Sequence, residues 1–226
     1  MCGRFSIIVE EEILKKRFGV IIPEQETLFP RFNAAPTQNL PVITNLNPSE
    51  IHLFRWGLIP FWAKDIKIGN KLINARGETL TEKPSFKNAY TNRRCLVLAD
   101  GFYEWKRVGK NKIPMRITLK NEEPFAIAGL WENWKSPSGE FIKSFTVITT
   151  EPNELMSGIH NRMPVILPRE IEKDWLDNSL TTNELNGFLQ PFQSEKMKAF
   201  QVSSSINSPA NDNPSVIFPI QNELKL

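Results

Sequence analysis

Histidine and cysteine are scarce in this chain, two of each among 226. They show no paired ligand spacing, so a metal centre is not expected. Two thiols do not make a disulfide framework, and a reduced, cytoplasmic setting is the expectation. No apolar run approaches the length that spans a bilayer, and no basic region followed by an apolar stretch opens the chain, so neither a membrane nor a secretory route is expected. Phosphate-binding glycine loops, dinucleotide fingerprints and nucleophile elbows are missing, and no cofactor is expected. Glycine is outnumbered by proline, eleven to seventeen, which favours stiff turns and extended segments over long helices.

What is there reads as a globular chain, 40% hydrophobic and 23% charged. "VEEEILKKRF" (9–18) has helical spacing with acids in its first turn. Short β-branched or aromatic runs follow: "PVITNL", "IHLFRWG", "KLINAR", "RRCLVLAD" and "FYEWKRV". "VGKNKI" (108–113) has the Gly and Asn of a hairpin loop, and "FAIAGLWENW" and "SFTVITT" extend the strand set. Helical patterns return at "NELMSGI", at "PREIEKDWLD" with Pro168 as first helical residue, and at "TNELNGFL". The pattern predicts one α+β domain over residues 1–226 with a mainly antiparallel core. Nothing in it signals assembly, and a monomer is expected.

The net charge of +3 is unevenly spread: Arg55–Lys110 holds twelve Lys/Arg against five Asp/Glu. A polyanionic partner is compatible with this basic middle, although incidental clustering on a solvated surface explains it as well.

Cys2 stands directly behind the initiator methionine. A free cysteine is most often a small, buried, inert residue. Chain ends, however, usually fray at the surface. With Met1 removed, Cys2 becomes a 1,2-aminothiol whose α-amine, with a reference pKa of about 7.7–8.0, is partly neutral near neutral pH. Such an amine condenses with an aldehyde, and the adjacent thiol can close on the same carbon as a thiazolidine. An aldehyde-bearing substrate is therefore a specific expectation.

Three further stretches could carry chemistry. In "INARGET", Asn74 and Arg76 share a face if the segment is a strand; a strand end entering a turn explains it equally. In "ADGFYEWK", Glu104 lies between Tyr103 and Trp105, where apolar surroundings would raise its pKa; pattern alone slightly favours a solvent-facing side chain. In "HNRMPVIL", His160 follows a helix end that stabilises an imidazolium, and Arg162 could hold a phosphate; a polar loop before an edge strand is the plainer account. His52 has no partner motif. "WGLIPFWAKD" offers exposed-loop aromatics beside lysine for stacking on unpaired bases, with Trp56 better read as core.

Together, "MCGRF", "RFNAAPT", "WGLIPFWAKD", "NARGET", "RCLVLADGFYEW", "GLWE", "FTVITT" and "HNRMPVIL", in that order, resemble the SRAP (SOS response-associated peptidase) family. The resemblance runs from Cys2 to the terminal "VSSSINSPANDNPSVI". It implies a compact α+β domain with a β-barrel-like core, and capture of abasic sites in single-stranded DNA as a thiazolidine crosslink. Carried over by motif, Cys2 is the nucleophile, Asn74 orients the opened sugar, Glu104 handles protons, and His160 assists the imine steps. Arg4, Arg76 and Arg162 are implied phosphate or lesion contacts, Asn33 a weaker one, and Trp62 a base contact. Where some members carry a second aromatic after that tryptophan, this chain has Ala63. A thiol peptidase using Cys2 and His160, including self-removal of Met1, is the alternative, and a noncovalent single-strand-binding module the third reading.

Overall fold

The computed structural model describes residues 2–220. Its strands are β1 (Phe5–Ile7), β2 (Arg31–Ala34), β3 (Asn39–Thr44), β4 (Ile51–Trp56), β5 (Asn74–Arg76), β6 (Arg94–Ala99) and β7 (Gly101–Val108), followed by β8 (Asn111–Leu119), β9 (Phe125–Lys135), β10 (Phe141–Thr150), β11 (Met163–Pro164), β12 (Ile166–Leu167) and β13 (Met197–Gln201). The short helices are α1 (Glu11–Phe18), α2 (Lys87–Asn92), α3 (Glu154–Ser157), α4 (Glu172–Leu176) and α5 (Thr182–Gly187).

Strands β10, β4, β3, β6 and β9 pair in turn, and β9 pairs back to β10. That closure makes a five-stranded mixed barrel, with β10–β4 its parallel step. The near-continuous apolar runs of β6 and β10 belong here, since a barrel strand covered on its outer side is buried on both faces. A second, five-stranded sheet runs β13-β8-β7-β1-β2. One hydrophobic cluster joins both sheets, and within it Trp56 stacks on Phe145 at 6.3 Å and meets Phe5 at 4.9 Å. The far face of the second sheet is covered by the C-terminal segment, whose Val202, Ile206 and Val216 pack on Tyr103.

The expected fold class is therefore present, with some elements shifted. The hairpin falls on Val108 and Asn111, which pair directly across Gly109–Lys110. "KLINAR" is not all strand: Ile66–Lys71 winds as a 3₁₀ turn and only Asn74–Arg76 pairs. Asp65 caps that turn by accepting the Lys67 N–H at 2.9 Å, a local competitor to sheet pairing. Pro168 is not the first helical residue: with ψ 143° it sits as the cap of a 3₁₀ turn at Arg169–Ile171 that leads into α4. Thr181 and Glu184 start α5 with a reciprocal capping box. Arg17 and Glu172 tie α1 to α4 through two bonds of 2.7 and 2.9 Å.

Candidate active site

β1 determines where the start of the chain goes. Phe5 pairs with Phe102 of β7 on one side and with Ala34 of β2 on the other, and Tyr103 donates its N–H to Arg4 O at 3.0 Å. Cys2 is thereby drawn in and fully buried, with Sγ donating to Arg4 O at 3.7 Å. Its own carbonyl accepts a hydrogen bond from Asn74 Nδ2 at 2.8 Å. Asn74 Oδ1 is buried with no hydrogen-bond partner among the described residues. Ala75 is buried while Arg76 is exposed, as the strand alternation predicts.

β7 contributes the acid. Glu104 is 3% exposed rather than solvent-facing, because the second sheet is covered on both faces. Burial raises its pKa, a shift that His160 opposes. His160 follows α3, its N–H bonding Met156 O at 2.8 Å, and places Nδ1 4.0 Å from Glu104 Oε1. The Arg162 N–H donates to the same Nδ1 at 3.1 Å and fixes the ring. The Cys2 thiol is pushed well above its ordinary pKa, first by burial and then by the charge of Glu104.

A cavity of about 400 Å³ opens beside this pair, lined by Glu104, Trp105, Arg107, Lys112, His160 and Asn207. Arg107 and Lys112 face each other across the β7–β8 hairpin and give it a cationic rim. Arg107 was readable from the sequence only as part of the basic middle, and Lys112 lies just beyond it. Asn207 comes from a polar C-terminal stretch without motif, and its Oδ1 accepts from Trp105 Nε1 at 2.8 Å. A larger cavity of about 930 Å³ between α1 and α4 holds the Arg17–Glu172 pair but neither cysteine nor histidine.

The other residues named from the sequence divide sharply. Asn33, expected as a weaker DNA contact, is fully buried and bonded inward. Its Oδ1 accepts from Arg4 Nη1 at 2.7 Å, and its Nδ2 donates to the carbonyls of Ile206, Ser208 and Asn211. Arg4 is likewise engaged inward, on Asn33, Ile206 O and Asn207 O. Together they clamp the start of the chain to its C-terminal segment. Arg162 forks onto Glu78 and also bonds Thr149 O at 2.6 Å, which leaves it mostly covered. Arg76 and Trp62 are exposed, whereas Trp56 is buried and donates Nε1–H to Ile73 O at 2.9 Å. Among the described residues no group of three or more His, Cys, Asp or Glu could hold a metal, and no helix is long and apolar enough to cross a membrane.

The site thus combines a buried thiol at residue 2, an amide on that residue's carbonyl, and a carboxyl–imidazole pair under a basic rim. Such a set can bind a carbonyl compound and move protons to and from it. The profile of a family described as SOS response associated peptidase (SRAP) matches residues 1–209. Abasic site processing protein YoqW of Bacillus subtilis (strain 168) is 50% identical over 222 residues, covering 96% of this chain and 99% of its own. Abasic site processing protein HMCES of Xenopus tropicalis is 34% identical over 224 residues, covering 84% of this chain and 66% of its own. A crystal structure of a protein from Bacteroides thetaiotaomicron superposes with a TM-score of 0.90 at 33% identity, covering 97% of this chain and 100% of that one.

Proposed function

The chain belongs to the SOS response associated peptidase family, and from that premise we propose that it processes abasic sites in single-stranded DNA by forming a covalent thiazolidine through Cys2. The observation that carries the proposal is the placement of residue 2. Cys2 is fully buried, held at its carbonyl by Asn74, and lies close enough to Glu104 for that carboxylate to raise its thiol pKa.

The steps balance with no further reactant. Once Met1 is removed, the α-amine of Cys2 attacks the C1 aldehyde of the ring-opened sugar and forms a carbinolamine. Loss of one water gives the Schiff base. The thiol then adds to the imine carbon while its proton moves to the imine nitrogen, closing the five-membered ring. Glu104, with its pKa raised by burial, stays protonated further towards neutral pH than an ordinary carboxyl and delivers the proton that lets hydroxide leave as water. His160, 4.0 Å from that carboxyl, shares its proton traffic. The Oδ1 of Asn74 accepts from the opened sugar. Arg76, Arg107 and Lys112 supply cationic surface for the phosphates on either side.

A thiol peptidase fits less well. Catalytic thiolates sit where the thiol pKa is depressed, and here burial and Glu104 both raise it. Ring closure hands the thiol proton to the adjacent imine nitrogen, so it needs no thiolate standing free in the resting site.

The test pairs a denaturing gel with intact mass, using single-stranded DNA that carries one abasic site. Protein lacking Met1 should give a heat-stable adduct weighing the sum of protein and DNA less one water, and Cys2→Ala should give none. An undiminished adduct from Cys2→Ala, or no adduct from Met1-free wild type, overturns the proposal.

A further inference from the structure

Asn74 and His160 reach the site from distant parts of the chain, and neither is carried there by a long element. Asn74 opens β5, three residues paired to β10 at Val147, Ile148 and Thr149. His160 lies in the connection between α3, four residues long, and β11, two residues long. One ion pair ties the two segments together. Arg162, two residues after His160, forks Nη1 and Nη2 onto the two carboxylate oxygens of Glu78 at 2.5 and 2.9 Å. Glu78 lies in the turn Gly77–Thr79 that follows β5, four residues after Asn74. Arg162 is held at further points. Its Nη2 donates to Thr149 O at 2.6 Å, at the residue where β10 meets both Arg76 and Pro164. Its backbone N–H donates to His160 Nδ1 at 3.1 Å.

We propose that Glu78 is a positioning residue: through Arg162 it fixes His160 at the separation from Asn74 that the opened sugar requires. An exposed ion pair usually contributes little, because two long side chains must be ordered in water to make it. This pair differs in kind. It is bidentate, and although the Glu78 side chain is 53% exposed, that of Arg162 is only 15% exposed and already anchored on Thr149 O. The Arg162 fork, and with it the charge of Arg76, holds the Glu78 carboxyl below the usual carboxylate range, so the pair is ionised at neutral pH. The competing account makes Glu78 a stand-in for a DNA phosphate, released when a strand arrives. The hold of Arg162 on Thr149 and on the imidazole favours a strut, and the two accounts predict opposite effects.

This inference rests on the reading that Cys2 captures an abasic aldehyde, and the measurements keep the two apart. Glu78→Ala should lower the maximal rate of crosslinking to abasic single-stranded DNA about three- to thirtyfold without raising the half-saturating DNA concentration. Glu78→Gln, which keeps an acceptor for the fork, should come back to within about threefold of wild type. In a His160→Ala background, Glu78→Ala should cost less than about twofold, because the group it positions is gone. Amide hydrogen exchange reads the geometry in protein that has met no DNA. The Arg162 N–H should exchange at least about tenfold faster in Glu78→Ala, while Val147 N–H, bonded to Ile73 O in the ladder at 3.2 Å, keeps its wild-type rate. Unchanged exchange at Arg162, or faster exchange along β10 as well, overturns the positioning role. So does an undiminished loss in the His160→Ala background. An unchanged maximal rate with tighter DNA binding overturns it in favour of the phosphate stand-in. If Met1-free wild type forms no adduct, the thiazolidine reading falls, and exchange at Arg162 alone decides the strut.

Discussion

Replacing Asn33 by Ala separates a structural clamp from a DNA contact. The substitution removes the acceptor for Arg4 Nη1 and the donor shared among the carbonyls of Ile206, Ser208 and Asn211. The amide has two N–H groups, so about three good hydrogen bonds are lost, each worth about 1 kcal/mol net, or about 3 kcal/mol in all. Of the groups left behind, Ile206 is buried and Arg4 and Asn211 are half-buried, so most of that is not recovered by binding water. With a urea slope of about 2–3 kcal/mol/M, the unfolding midpoint should fall by about 1–1.5 M. The companion measurement is the salt dependence of single-stranded DNA binding. A phosphate contact contributes about 0.7 to the slope of log K against log salt, so Arg76→Ala should flatten that slope by this amount with little change in midpoint. Asn33→Ala, measured where it is still folded, should leave the slope unchanged. A midpoint within about 0.2 M of wild type, together with weaker DNA binding, would refute the clamp and return Asn33 to the interface.

Glu104→Gln should slow crosslinking about a hundredfold or more, since it removes the proton donor and leaves the shape. The same change bears on stability. Burial raises the folded-state pKa of Glu104 above its unfolded value, so its contribution is favourable at low pH and is lost as pH rises through the folded pKa. The urea midpoint of wild type should therefore fall relative to that of Glu104→Gln between pH 5 and pH 8, and a constant difference would contradict the buried carboxyl. Gly57→Ala places a Cβ 2.6 Å from Gly69 O at a φ of +119°, and should cost about 2–4 kcal/mol, seen as a melting temperature lower by about 5–15 °C.

The residues proposed to carry reactivity could be named from the sequence because their chemistry is local. A cysteine second in the chain suggests its chemistry without a fold, whereas the Asn-Ala-Arg stretch and the histidine after a short helix each had an equally plain or plainer structural account. What the sequence could not show is which side of a strand is wet. Glu104 alternates with aromatics as a solvent-facing residue would, and only the C-terminal segment lying over the second sheet makes both of its faces dry. The inward bonding of Asn33 was illegible for a related reason: "RFNAAPT" reads the same whether its amide meets a phosphate or three carbonyls from residues more than 170 positions away. β8 carries Pro114 in mid-strand and β13 alternates weakly with Lys198 and Gln201, so neither resembles the strand it forms.

The clamp on Arg4 also has a consequence for biosynthesis. Residue 2 is among the first amino acids to leave the ribosome, yet the carbonyls that hold Arg4 belong to Ile206 and Asn207, and Asp212 binds the backbone N–H of Asn33 beside them. In a nascent chain, therefore, residue 2 stays unclamped throughout most of synthesis. The contacts that fix Arg4, and with it the burial of Cys2, form only when the last tenth of the protein arrives.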